Sequence, residues 1–165
     1  TEITRALYRA SLAGVTVDLV VRDSCRLRPA VPGLSEKIRV VSIVGRFLEH
    51  TRILHFGNAG EDRYYIGSAD MMQRNLESRV EVHAPVEDPK HQAYLGQLLD
   101  LQLNDQRSAW DMDRDGCYLQ RSPEGEEPPP NCQEKLIELH AERHKEATRL
   151  RKRKTKGLVR RRSRL

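Results

Sequence analysis

The chain reads as an α/β or α+β layered domain, a mixed sheet flanked by helices. Three observations predict this. A helix-period segment stops at a glycine and hands over to an alternating strand. Further β-rich runs then follow between residues 38 and 86, and a helix with one broad apolar face comes after them. Helix, glycine, strand is half of a βαβ unit.

The first element is a helix from Glu2 to Gly14, with Ile3, Leu7 and Ala10 on one face and Gly14 as its stop. Val15–Val21 alternates, with Val15, Val17, Leu19 and Val21 on one side and Thr16, Asp18 and Val20 on the other. Arg22–Ser35 holds Pro29, Pro32 and Gly33, so it is a loop at that strand's C-terminal end. Ile38–Val44 is a second β-rich run, followed by a polar turn through Glu49. Arg52–Phe56 and Arg63–Gly67 flank the sequence GNAGED, a hairpin signal. Arg79–Val86 alternates again, Val80, Val82 and Ala84 against Glu81 and His83. From Asp88 to Asp105 a helix carries Tyr94, Leu95, Leu98, Leu99 and Leu103 on one face.

Beyond Trp110 the periodicity weakens to a turn at Asp113–Gly116 and a short hairpin around Tyr118. Ser122–Asn131, SPEGEEPPPN, is too rich in Pro and Glu to pack and reads as a linker. Asn131 and Glu134 have the spacing of a capping pair for a last helix, from Cys132 to about Arg153. Its apolar stripe (Leu136, Leu139, Ala147, Leu150) is thin, which predicts loose docking. The expected organisation is a domain over residues 1–121, a linker over 122–131 and a basic helical or disordered tail over 132–165.

Charge sharpens that division. The net charge of the chain is +5, yet Lys145–Leu165 alone carries eleven Lys and Arg against Glu146, leaving about −5 on residues 1–144. Basicity is a property of the tail, and the body is mildly acidic. Cys25, Cys117 and Cys132 are far apart with no CxxC pair, which points to reduced thiols in a cytosolic protein rather than a zinc site or a disulfide framework. No apolar run approaches the ~20 residues that cross a bilayer. The sequence opens at Thr1 with a helical pattern already running at residue 2 and no signal peptide, so it is expected to be a piece of a longer chain.

Candidate functional groups gather at strand ends, where open α/β sheets bind ligands. Arg22 follows VTVDLVV directly, placed to offer a bidentate phosphate contact, with pairing to Asp23 or Glu36 as the structural alternative. His50, in Glu49-His50-Thr51-Arg52, sits at another boundary, where an imidazole can act as nucleophile, proton donor or hydrogen-bond donor. Gly67-Ser68-Ala69-Asp70 follows a strand, and its glycine allows close backbone approach. Arg79 and Glu81 lie on the strand face opposite Val80 and Val82.

ALYRASLAGVTVDLVVRDSCRLRPAVPGLSEKIRVVSIVGRFLEHTRI, followed by YYIGSADMMQRNLESRVEVHAPVEDP, closely resembles the last catalytic domain of the bacterial ATP-dependent polyphosphate kinases, from Ala6 to about Gln106. The family's Arg-Gly-Ile-Cys stands here as Arg22-Asp23-Ser24-Cys25, and its Ser-Ala-Asp-Trp-Met as Ser68-Ala69-Asp70-Met71-Met72. The resemblance implies a phospholipase D-like fold and reversible transfer of the ATP γ-phosphate to polyphosphate through a phosphohistidine. By position it implies that Arg22 contacts nucleotide phosphates, that His50 is the second essential histidine, and that Arg79 and Glu81 rim the site. The phosphorylated histidine, and the arginines associated with Mg2+, belong to a preceding domain. His55, His83 and His91 match no phosphorylated position, and Mg2+ is expected to be bound mainly by that preceding domain, with no metal site assigned to these residues. The implied enzyme is cytoplasmic, peripheral to the inner membrane at most, and a homo-oligomer at full length.

Two other function classes stay open. Phospholipase D relatives use His-x-Lys, against His50-Thr51-Arg52 here, and Gly57 stands where their aspartate would be, which counts against a hydrolase or nuclease. A non-catalytic polyanion-binding module would keep the tail, including Arg151, Lys152, Arg153 and Lys154, and tolerate loss of His50. Nothing in the tail chooses among polyphosphate, nucleic acid and an acidic membrane.

Overall fold

A computed structural model describes residues 2–22, 24–123 and 129–162, with residues 152–162 as backbone only. In chain order the elements are α1 (Glu2–Leu12), β1 (Val17–Val21), β2 (Ile38–Ile43), β3 (Ile53–Phe56), β4 (Arg63–Gly67), α2 (Gln73–Ser78), β5 (His83–Val86), α3 (Pro89–Leu103), β6 (Ala109–Met112), β7 (Tyr118–Gln120) and α4 (Cys132–Arg162). The strands divide into two sheets. The first, in the order β1-β2-β6-β7, is mixed: β1 runs parallel to β2, while β2/β6 and β6/β7 are antiparallel. The hairpin strands form a second, antiparallel sheet in the order β3-β4-β5.

β2 is the spine of the core because its side chains alternate between two covered faces. Ile38 and Val40 join Leu27 and Met112, with Leu7 and Tyr8 of α1 packed over them. Val41 and Ile43 join Ala109 and Cys132, with Leu101 and Leu103 of α3 alongside. Burying each such side chain stabilises the fold by roughly 1.5–3 kcal/mol.

Local signals end the elements where the sequence places them. Gly14 takes φ 91 and stops α1. Asp88 caps α3, accepting from the Lys90 N–H at 2.7 Å, with Pro89 in the first turn. The hairpin turns through Asn58, Ala59 and Gly60, all at positive φ. Asn131 and Glu134 form the expected reciprocal cap of α4: each backbone N–H donates to the other's side chain, at 3.0 and 2.9 Å.

Two expectations are corrected. Arg79–Val82 is not strand: the short helix α2 precedes it, β5 begins only at His83, and Val80 is 98% exposed and Val82 64% exposed. A period-two pattern marks extended backbone, but it does not say whether a second layer covers one face. The first turn of α4 also docks firmly, with Cys132 and Gln133 buried. Further on, Leu136 and Leu139 are half-buried and Ala147 and Leu150 exposed, as the thin stripe predicts.

Asp105 fastens this junction. Its buried carboxylate accepts from the Arg107 and Ser108 N–H groups, the Ser108 hydroxyl and the Cys132 N–H, at 2.5–2.7 Å. Burial alone would raise its pKa, but these donors outweigh it and bring the carboxyl down to about 2. The buried Cys132 thiol moves the other way, pushed up to about 12 by desolvation and by Asp105 beside it.

Candidate functional site

The parallel pairing of β1 and β2 carries Arg22 off the C-terminal end of β1, toward the loop that leaves β2. There its Nη1 donates to the Glu49 carbonyl at 3.1 Å and lies 3.3 Å from His50 Nδ1. A guanidinium only donates, so this contact is a hydrogen bond when Nδ1 carries the lone pair and Nε2 the proton. Arg22 Nη2 donates to Asp70 Oδ2 at 3.2 Å. Its partner is therefore Asp70, and not Glu36; Asp23 lies outside the described residues.

The second sheet supplies the other side. The Gly67 N–H donates to the Arg52 carbonyl at 3.0 Å, and the Ser68 N–H to the Val82 carbonyl at 3.1 Å. These bonds bring residues 52, 68–70 and 81–82 to one end of β3-β4-β5. Arg52 donates from Nε (3.1 Å) and Nη2 (2.9 Å) to Asp70 Oδ1, and from Nη1 to the His50 carbonyl. Asp70 thus bridges two arginines. A Cβ at Gly67 would lie 2.3 Å from the exposed His83 ring, so a larger residue there would push that ring aside.

Arg79 and Glu81 sit beside this cluster. They pair with each other at 3.3 Å, and the Glu81 carboxylate also accepts from the Ser68 hydroxyl and from the Asn75 amide at 3.2 Å. The Ser68 hydrogen bond, with the Asn75 amide and the charges of Arg79 and Arg52, holds the Glu81 carboxyl below its usual range. Arg22, Arg52 and Arg79 against Asp70 and Glu81 leave one net positive charge, apart from His50.

The loop bearing His50 is clamped from α4. The buried Gln133 amide accepts from the Phe47 N–H at 2.9 Å and donates to the Phe47 carbonyl at 2.8 Å and to Glu49 at 2.7 Å. Gly45 makes room for it, since a Cβ there would stand 2.6 Å from Gln133 Oε1.

The structure therefore brings Arg22 and His50 into direct contact and sets Arg79 and Glu81 alongside. Arg151 is exposed on α4, and the side chains of Lys152, Arg153 and Lys154 lie outside the described residues. Sequence reasoning assigned no role to three groups of the site: Arg52, the Asp70 carboxylate within the GSAD segment, and Gln133. Arg52 follows His50 by two residues, and Asp70 is the carboxylate of GSAD; both were visible signals. Gln133 gave none, being 84 residues from Glu49.

The arrangement suits an anion. Among the described residues no group of three or more His, Cys, Asp or Glu could hold a metal ion, and the Asp70 carboxylate is already engaged by two guanidiniums. These residues do not fit Mg2+. A groove of about 510 Å3 at the opposite end of the second sheet is lined by Glu61, Asp62 and Glu87 against Arg63, a net negative charge and the wrong sign for phosphate. No described helix is long and apolar enough to cross a membrane.

Residues 1–133 match the family described as Polyphosphate kinase C-terminal domain 2. The chain is similar to the polyphosphate kinase of Thermosynechococcus vestitus, 56% identical over 123 residues, which cover 74% of this chain and 17% of that protein. With the polyphosphate kinase of Streptomyces coelicolor it shares 48% identity over 147 residues, 88% of this chain and 20% of the relative. The crystal structure of polyphosphate kinase from Porphyromonas gingivalis superposes with a TM-score of 0.80 at 36% identity, covering 88% of this chain and 22% of that one. The chain thus spans about a fifth of the length of these relatives. The likenesses bear out the resemblance and the layered α/β fold read from the sequence.

Proposed function

The chain belongs to the polyphosphate kinase C-terminal domain 2 family, and on that premise we propose that it forms one wall of a site moving the ATP γ-phosphoryl group reversibly to and from polyphosphate. The observation that carries the proposal is the convergence of Arg22, from the end of β1, and His50, from the loop between β2 and β3, on one cationic cluster.

Phosphoryl transfer asks a protein chiefly to position reactants and neutralise charge spread over the equatorial oxygens. Arg22 supplies a fork for those oxygens, with Arg79 at the rim. His50, its Nδ1 facing Arg22, turns an Nε2–H toward the reacting group and donates to the leaving or attacking oxygen. In the proposed sequence the phosphorus–oxygen bond to ADP breaks as a phosphorus–nitrogen bond forms on a histidine outside these residues. That bond then breaks as the terminal oxygen of the polyphosphate chain takes the phosphoryl group. Magnesium accompanying ATP is held from outside this cluster, and no step here passes through it.

In this reading residues 1–121, with the first turn of α4 docked on them, form the catalytic domain, 122–131 link the two, and the basic remainder of the tail tracks the polyanion. The whole enzyme is a cytoplasmic homo-oligomer with ATP and polyphosphate as its ligands. Replacing His50 by alanine in a full-length kinase tests the assignment: polyphosphate synthesis is expected to collapse, and unchanged synthesis refutes it. The 165-residue chain alone is expected to bind phosphate chains yet synthesise none from ATP. Robust turnover by it would overturn the half-site reading.

A further inference from the structure

Resting on the phosphate-binding reading above, we propose that Asp70 competes with bound phosphate for Arg22. It is a built-in counter-anion that lets the site take up and release a polyanion repeatedly. Its contacts with the two arginines are unequal. Arg52 holds Oδ1 with two N–H groups, at 3.1 and 2.9 Å, and anchors its third contact on the His50 carbonyl. Arg22 reaches Oδ2 by a single bond of 3.2 Å, and its side chain is the more exposed, at 32% against 23%.

The two guanidiniums therefore have different tasks. Arg52 is a positioning residue: it fixes Asp70 and the His50 backbone whether or not phosphate is bound. Arg22 is the exchangeable arm. Nη1 can keep the Glu49 carbonyl while Nη2 turns from one carboxylate oxygen to a phosphoryl group. A phosphoryl group offers several oxygens and more charge than a carboxylate, so it competes with Asp70 for the Nη2 N–H groups. Each arriving phosphate must first displace Asp70, which weakens its hold and returns Arg22 when it leaves.

Isothermal titration of tripolyphosphate into the 165-residue chain at fixed salt tests this. Asp70→Asn removes the competitor, and binding is expected to tighten roughly two- to fivefold. Equal or weaker binding by a folded Asp70→Asn chain overturns the competition. Should that variant fail to fold, the wild-type chain answers by nitrogen-15 NMR of its arginine side chains. The Arg22 Nε–H signal is expected to move with added tripolyphosphate while that of Arg52 holds still; the two moving in step overturns the division of tasks. Arg22→Ala separates this idea from its premise. Weaker binding by Arg22→Ala with no tightening by Asp70→Asn removes only the competition, whereas equal binding by wild type and Arg22→Ala removes the phosphate site as well.

Discussion

Arg22 and His50 stand 28 residues apart in sequence, and Arg22 Nη1 lies 3.3 Å from His50 Nδ1. The contact is a product of topology. A parallel β1/β2 pair sends Arg22 out at the end where the β2 loop returns, and Gln133 ties that loop down from α4. The site therefore depends on residues from both halves of the chain.

Arg22→Ala should weaken polyphosphate or nucleotide binding without unfolding the domain. A charge-assisted hydrogen bond contributes on the order of 1.5–3 kcal/mol, which is roughly a ten- to hundredfold loss of affinity. Asp70 keeps its Arg52 partner, so no buried charge is stranded. Isothermal titration alongside circular dichroism checks both halves, and unchanged binding counts against the assignment.

Gln133→Ala should loosen the His50 loop. It leaves the Phe47 N–H and carbonyl without their side-chain partners and costs about 2 kcal/mol of stability. Gly45→Ala should cost a similar amount by expelling the same side chain, whose Oε1 would be 2.6 Å from the new Cβ. Because both act through one contact, the double variant should be little worse than either single one. Additive losses in urea unfolding would contradict this coupling.

How much of this could be read beforehand follows from how local each signal is. The hairpin was legible in GNAGED, the α4 cap in Asn131 and Glu134, and the position of Arg22 in the strand just before it. The Asp70 bridge was half-visible, since its carboxylate and Arg52 both stand out, but pairing across 48 residues to Arg22 is set by sheet order. Val80 and Val82 misled because alternation fixes only the extended backbone, and no described residue covers them. Helix α2, QRNLES, was invisible: six residues with one apolar side chain show no period.

Acid should undo the junction at Asp105. Its carboxyl is lowered from 3.8 to about 2 in the folded chain. A depressed folded pKa gives stability that is fully present above the unfolded value and lost as pH falls through the folded one. Between about pH 4 and pH 2 the fold should therefore lose on the order of 2 kcal/mol from this group. Asp105→Asn should be less stable at neutral pH and show a flatter decline across that interval. Parallel wild-type and variant curves would contradict it.

Thiol accessibility offers an independent check on α4 docking. Cys117 is exposed, Cys25 half-buried, and Cys132 buried with its thiol pushed up to about 12. Iodoacetamide at pH 8 should label Cys117 readily and leave Cys132 untouched until the chain unfolds. Rapid labelling of Cys132 in the native protein would show that the first turn of α4 is not seated on the core.

The most direct test is a crystal structure of the chain with tripolyphosphate. One phosphoryl group is expected within hydrogen-bond reach of both the Arg22 guanidinium and His50 Nε2, with Arg52 still on Asp70. Tripolyphosphate bound elsewhere, with Arg22 and His50 both free of it, would contradict the account.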